Sequence, residues 1–493
     1  MPRRFPLLVV CALLAASPAA SSAGADQLTA DLQARRARLL QALPADTMAI
    51  FWSAPERVFS RDVDYEYRQD SDLLYLTGIE QPDTILVLMP GNRTKKEILF
   101  VRSPDPKREH WNGHSLTLVE ATALTGIGTV YETPSFDAFL AAMLGRTPFK
   151  AKTHIAAVLD EEHAAFFDAV AAGRARIGLR LGPAPGLKAP LDAEREFARQ
   201  ARDRFLGVSF VNIAPAVFDL RLVKTPYEQD VLRRSASISS AAHVAGMKAA
   251  KPGRVEYEVE SAIEHVYLAN GAMTPGYPSI VGSGPNATVL HYHESNRKME
   301  DGDLLLVDAA GSYLGLTADI TRTYPVNGRF TAAQREIYAI VLAAQEAGIA
   351  AATAGHRTID IEKACEDAIK PGLLKLGLIT DASGDQFRTW YTHGTSHWIG
   401  MDVHDVGDYH RRLEPGMTFT IEPGVYIRPA ALEALPDTPE NGDFRKAVAG
   451  AVEKYKNIGV RVEDSFLVTA SGLEVLSKDV PKTVAEIEKT MLR

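Results

Sequence analysis

With 493 residues, 46% of them apolar and 24% charged, the chain has the composition of a folded globular protein with room for about two domains. It is neither a disordered nor a membrane-embedded composition. The 54 basic and 62 acidic side chains leave a formal charge of −8, which offers nucleic acid no basic footprint.

The first 25 residues stand apart. Arg3 and Arg4 precede an apolar run over 7–16, and small residues fill 19–25. This is the pattern of a cleavable secretory signal, with cleavage expected near Ala23 or Ala25 and an uncleaved anchor as the alternative. The run is too short to span a bilayer, and no later stretch reaches the roughly twenty apolar residues of a span. The expectation is an exported protein, periplasmic or extracellular, with no membrane attachment after the signal is removed. Cys11 follows the bulky Val10, unlike a lipid-bearing cysteine, and leaves with the signal. Cys365 then stands alone, which excludes an internal disulfide.

Residues 26–205 form the first expected domain. Strand-like runs at 48–52, 73–76, 84–89, 97–101 and 154–159 alternate with helical segments such as 136–144 and 161–172, so the class is α/β. The stretch 182–186 reads as a loop. His110 and His114 are spaced like a metal pair, but the Trp-Asn-Gly between them reads as a loop that binds nothing. Trp111 is free to reach a neighbouring subunit.

The second domain is expected over 206–493. Its first clear helix starts at Thr225-Pro226-Tyr227-Glu228, where Thr225 caps, Pro226 suits the first turn and Glu228 completes a capping box. This region carries a weak internal duplication. Gly253 and Gly355 each precede a similar helix opening. Gly302 and Gly416 each lead into an apolar strand, and an acid follows six residues after each glycine, Asp308 in one case and Glu422 in the other. A duplicated half folded on its twin would bring these carboxylates together. Gly282 and Gly284 do not follow a strand in nucleotide-binding fashion, so no dinucleotide is implied. His293 is read as solvated, and 429–456 as a loop at the cleft mouth or a surface excursion.

The acids carry the chemistry. Asp308 ends the run Leu304-Leu305-Leu306-Val307, Glu422 follows Phe419-Thr420-Ile421, and Glu463 follows Val460-Arg461-Val462. A turn around 311–315 makes Asp319 a neighbour of Asp308 across a hairpin. Four carboxylates at buried strand positions need a shared positive charge, and divalent metal meets that need. His393, His397 and His404 are clustered between them. Oxygen-rich coordination with one imidazole suits Mn²⁺, Co²⁺ or Zn²⁺, and two such ions sharing bridging carboxylates perform hydrolysis.

Asp308 and Asp319, eleven apart, followed by His397, Glu422 and Glu463, resemble the ligand set of the pita-bread metallopeptidases. Within that family the flanking text is most similar to aminopeptidase P. It includes Ser279-Ile280-Val281-Gly282-Ser283-Gly284, Leu290-His291-Tyr292, Asp319-Ile320-Thr321-Arg322-Thr323, Ser396-His397-Trp398 and Asp402-Val403-His404-Asp405. The N-terminal run Arg68-Gln69-Asp70-Ser71-Asp72-Leu73 resembles the family's leading domain. The resemblance implies an N-terminal α/β domain before a duplicated pita-bread catalytic domain, and two divalent ions per chain, most suitably Mn²⁺, with Zn²⁺ or Co²⁺ possible. It implies that Asp319 and Glu463 bridge the ions, Asp308 holds one, and His397 and Glu422 complete the other. It places His291 and His404 as catalytic histidines, His393 beside the proline pocket, and Tyr426 and Arg461 in support. The implied activity is release of the N-terminal residue from peptides with proline second, in a homo-oligomer (dimer or tetramer). Prolidase, confined to Xaa-Pro dipeptides, shares these ligands, and a non-catalytic binding protein on the same fold is the remote alternative.

Overall fold

The computed structural model describes residues 18–149, 160–183, 186, 189 and 191–492. The expected strand at 154–159, part of the 182–186 loop and most of the expected signal lie outside them. The chain divides into two compact units, Met1–Asn212 and Ile213–Arg493.

In the first unit a long helix, α1 (Pro18–Ala42), leads to a six-stranded mixed sheet. Its strands are β1 (Thr47–Trp52), β2 (Ile85–Leu88), β3 (Glu97–Val101), β4 (Val130–Glu132), β5 (Ala175–Leu179) and β6 (Val208–Asn212), in the order β4-β3-β2-β1-β5-β6. Strands β1, β2 and β3 pair antiparallel, whereas β3–β4, β1–β5 and β5–β6 are parallel. Met48, Ile50, Val87, Phe100 and Ile177 meet Phe139 and Met143 from α3 (Phe136–Gly145) in one core. The run 73–76 is not a strand. It lies in α2 (Ser71–Thr77), where Asp70 accepts hydrogen bonds from the Asp72 and Leu73 amides and Gly78, at φ 67°, ends the turn. A cap and a left-handed stop override a short apolar run that fits either period. Helix α3 matches its expected span, while 161–172 is a 3₁₀ turn, Asp160–Glu162, followed by the helix Ala164–Ala171. His110 and Trp111 are not in a loop either: Pro106–Asn112 is helical, capped by Asp105. His114 is engaged by Glu120 at 2.9 Å and Glu109 at 3.4 Å.

The second unit repeats one design twice. In the first half α4 (Pro226–Ala249) and α5 (Glu256–Ala269) back a sheet of β7 (Ile280–Ser283), β8 (Leu304–Asp308) and β9 (Thr321–Pro325). In the second, α6 (Ala332–Ala351) and α7 (Thr358–Lys375) precede β10 (Thr418–Ile421), which pairs antiparallel with β12 (Asp464–Thr469). Between those two strands, β11 (Gly424–Tyr426) pairs with a short strand, Gly459–Arg461. The Thr225–Glu228 capping box forms as expected at the head of α4. Gly302 and Gly416 stand at φ 90° and 97°, a left-handed turn that leads into β8 and β10 respectively. Asp308 and Asp319 are not direct hairpin neighbours. Asp308 pairs with Thr321, and an added hairpin of Gly311–Tyr313 with Leu316–Thr317 leaves Asp319 on the loop entering β9. The stretch 429–456 forms two helices, Pro429–Glu433 and Pro439–Tyr455, and buries Phe444, Val448, Val452 and Tyr455 in the domain core. It is structural rather than a loop at the cleft mouth. Gly282 does stand in a strand, β7, and Gly284 opens the 3₁₀ turn Gly284–Thr288. Among the described residues no helix is long and apolar enough to cross a membrane.

Candidate metal centre

The two halves deliver acids to one place by the same device. Asp308 ends β8 and Asp319 lies two residues before β9; Glu422 follows β10 and Glu463 directly precedes β12. Strand pairing ties the entries together, since the Glu463 amide donates to the Thr321 carbonyl at 3.1 Å and the Glu422 amide to the Thr395 carbonyl at 2.8 Å. The Asp319 amide donates to the Ser465 hydroxyl at 2.9 Å, and that hydroxyl donates back to the Asp319 carbonyl at 2.7 Å. The loop carrying Asp319 in one half is therefore fastened to a strand of the other.

The five expected ligands converge. His397 Nε2 lies 3.2 Å from Glu422 Oε1, 3.3 Å from Asp319 Oδ2 and 4.0 Å from Glu463 Oε1. Donor atoms of Asp319, His397 and Glu463 all fall within 4.8 Å of one another. Asp308 joins through Tyr277, whose hydroxyl reaches Asp308 Oδ1 at 2.7 Å and Asp319 Oδ1 at 2.6 Å. On the far side of Asp308 the Arg461 guanidinium grips Oδ2. Arg461 also donates to the Thr321 hydroxyl at 3.0 Å, and Thr321 donates to Glu463 Oε2 at 2.6 Å.

This donor set fits a cation. Glu463 Oε1 is buried and has no hydrogen-bond partner, an omission that costs a carboxylate at least about 1–3 kcal/mol unless something positive fills it. His397 Nδ1 donates to the Trp398 carbonyl at 3.1 Å, which turns Nε2 toward the acids' common centre, the orientation a metal-ligating imidazole would take. Burial, then the like charges of Asp319, Glu422 and Asp308, push the Glu463 carboxyl well above its ordinary range. Burial and Asp308 raise Asp319 to about 7. Burial opposes charge on His397, but Asp319 and Glu422 outweigh it and hold the imidazole well above the usual histidine range. Burial likewise opposes the Glu422 charge, yet His397 brings that carboxyl down to about 2. The protein has assembled more negative charge than its own cations neutralise.

A cavity of about 360 Å³ opens onto this cluster, lined by His291, His393, His404 and Tyr409 beside the acids. His404 stacks edge-on to His397 with ring centres 4.2 Å apart, and both His291 and His404 are exposed on the open side. His393 is arranged differently. Its Nδ1 donates to the Gly394 carbonyl at 2.7 Å, its Nε2 accepts from the Tyr426 hydroxyl at 2.8 Å, and that hydroxyl accepts from Arg461 at 2.9 Å. Burial lowers the His393 pKa, with Arg461 adding to the effect, so the ring is neutral and offers the cavity a face rather than a free nitrogen. His293 is an exposed neighbour of His291. The sequence reading missed Tyr277, Thr321 and Tyr409. Only Tyr277 left a trace, as an aromatic between Gly276 and Pro278 directly ahead of β7.

Comparison with known proteins agrees with this architecture. Residues 230–470 match Metallopeptidase family M24, and residues 32–150 match Aminopeptidase P, N-terminal domain. The chain is 35% identical over 472 residues to the Xaa-Pro aminopeptidase of Escherichia coli, covering 94% of this chain and 97% of that one. It is 32% identical over 454 residues to human Xaa-Pro aminopeptidase 3, covering 90% and 80%. Among solved structures, aminopeptidase PepP of Pseudomonas aeruginosa superposes with a TM-score of 0.79 at 34% identity, covering 94% of this chain and 98% of its own. Zn-substituted E. coli aminopeptidase P in complex with product superposes with a TM-score of 0.76 at 33% identity, with the same coverage. With both domains matched in order and the ligand cluster built in the second, the chain belongs to metallopeptidase family M24, within its Xaa-Pro aminopeptidase (aminopeptidase P) branch.

Proposed function

We propose that the chain releases the N-terminal residue from peptides whose second residue is proline, using two divalent ions, Mn²⁺ the best suited, held by Asp308, Asp319, His397, Glu422 and Glu463. The observation that carries this is the convergence of three carboxylates, Asp319, Glu422 and Glu463, on Nε2 of His397, with Asp308 tied in through Tyr277 and one buried carboxylate oxygen left unpartnered. Oxygen-rich donors with a single imidazole favour Mn²⁺ over metals that prefer thiolate. Bound metal supplies Lewis acidity and an activated water.

The remaining steps fall to side chains. His291 and His404, on the open side of the cavity, are placed to donate to the carbonyl oxygen as it gains charge. An Xaa-Pro imide has no N–H, so selection rests on a wall for the proline ring, which the neutral His393, locked by Tyr426 and Gly394, supplies. Arg461 offsets Asp308 and orients Tyr426. The deciding experiment compares Xaa-Pro dipeptides with Xaa-Pro-Xaa and longer peptides. Turnover of the longer ones supports this reading, and activity confined to dipeptides sinks it in favour of a prolidase. Elemental analysis of active enzyme should find two ions per chain; full activity with one would remove the second.

Export is part of the same proposal, supported by Arg3, Arg4 and the apolar run over 7–16. Mass spectrometry of native protein should place its N-terminus between about residue 20 and residue 27; an intact Met1 in cytosolic material refutes export. Self-association as a dimer or tetramer is supported by Trp111, which is 84% exposed on its short helix. Light scattering that finds only monomer excludes it.

A further inference from the structure

The catalytic unit holds a second cavity, of about 650 Å³, that shares no lining residue with the metal centre. Along an extended chain successive side chains point to opposite faces. Thr321 and Glu463 turn toward the metal cluster, and their neighbours Arg322 and Asp464 turn away to form the floor of this second space. That floor is knit together around Asp464. Arg322 meets Asp464 Oδ1 at 2.6 Å, Lys482 meets Oδ2 at 2.9 Å, and Ser477 and Gln345 donate at 2.7 and 2.9 Å.

The rim is not closed. Lys248 from α4, Lys478, and Lys489 from the C-terminal helix Val484–Met491 line it beside Asp479 and Glu486, and Lys478 also feels Glu474. Glu486 is committed elsewhere, accepting from the Lys482 and Thr483 amides at 3.2 and 3.0 Å. Several lysines elsewhere in this unit have carboxylate partners, for example Lys224 with Asp405, Lys363 with Asp367 and Lys454 with Glu336, while the unpaired Lys251, Lys298 and Lys375 line neither cavity. Among the described residues Lys248, Lys478 and Lys489 form no ion pair. Between rim and floor, Val475, Val480 and Pro481 present apolar surface. Three unpaired ammonium groups around one apolar-walled hollow, in a chain of net charge −8, make a local excess of positive charge.

We infer that this cavity binds a small organic phosphate, its anionic group held by Lys248, Lys478 and Lys489 and its body laid against Val475, Val480 and Pro481. Phosphate is favoured over carboxylate because ammonium groups act as point charges suited to a multiply charged anion. Planar carboxylates are matched best by an arginine fork, and the one arginine here is spent on Asp464.

The test is calorimetric titration of metal-loaded, full-length mature protein with phenyl phosphate at about 0.15 M ionic strength. The expected result is saturable binding with Kd below about 1 mM. A Lys248→Gln/Lys489→Gln double variant should weaken it at least about tenfold while peptidase turnover stays unchanged, which also certifies its fold. Lys478→Gln alone should weaken binding as well. Absence of saturable heat overturns the proposal. Undiminished binding in the double variant also overturns it, by locating the ligand elsewhere, the metal centre included. Phenylacetate binding as tightly as phenyl phosphate would overturn the phosphate assignment.

Discussion

At the scale of single residues the proposed roles divide the centre into side chains that hold charge in place and those that act on substrate. Asp319→Ala removes an acid from the heart of the cluster and should abolish metal content and turnover together. His404→Ala and His291→Ala should keep their metal while kcat falls about 10²–10³-fold, the usual cost of losing a donor to a developing charge. Metal analysis paired with turnover distinguishes the classes, and loss of metal from His404→Ala would make that residue a ligand. Tyr277 gives a third case. Its single proton is shared between Asp308 and Asp319, and burial with those neighbours raises its pKa well above 10, so it remains a donor. Tyr277→Phe should lower metal affinity about 10–100-fold without deleting a ligand; unchanged affinity in a competition titration would refute this. The cluster of acids was legible because an acid closing an apolar strand is anomalous on its face. Tyr277, Thr321 and Ser465 were not, since a hydroxyl that holds a ligand looks in sequence like any other hydroxyl, and its partner lies 31–146 residues away.

At the scale of elements, the loop that follows His404 is pinned to the segment before α4. Asp405, buried, meets Lys224 Nζ at 2.9 Å and the Arg221 guanidinium, both themselves buried. Burial alone would raise the Asp405 pKa, but Lys224 and Arg221 outweigh it and depress it below the ordinary aspartate value. A carboxyl depressed in the folded state stabilises fully above its unfolded pKa, and the gain is lost as pH falls through the folded value. Stability measured by denaturant at falling pH should therefore decline below about pH 4 in the wild type. Asp405→Asn should lose about 3–5 kcal/mol at neutral pH, because it takes the carboxylate partner from buried Lys224 and leaves Arg221 to Asp402, and should show a shallower decline in acid. A loss under about 1 kcal/mol would mean that water reaches those cations. Elements were read well where a cap announced them, as at Thr225. Reading failed at 73–76 and 106–112, where four to seven residues are too few to show a period and the deciding signals were single caps, Asp70 and Asp105.

At the scale of the whole catalytic unit, the duplication visible at Gly302 and Gly416 is the organising fact. The sequence disclosed the repeated turn and strand but not the inserted hairpin at 311–317, because an insertion between paired strands leaves the pattern of each strand intact. Each half brings two acids and neither brings a complete ligand set. Asp319 and Glu463 belong to different halves, and their loops are stitched through Ser465 and Thr321. Metal held by these acids would act as a rivet between two leaves. Without metal, the like charges of Asp308, Asp319, Glu422 and Glu463 oppose one another across the seam. Chelator should lower the melting temperature of this unit and make its value depend on free metal concentration, as ligand linkage requires. A melting temperature indifferent to chelator would show that packing alone closes the seam. If the rivet holds, the enzyme is supplied with its own quality control: a chain that has lost its ions is also one whose leaves part, and a proteolytic environment would clear it as unfolded protein rather than tolerate it as an inert, competing binder of proline peptides.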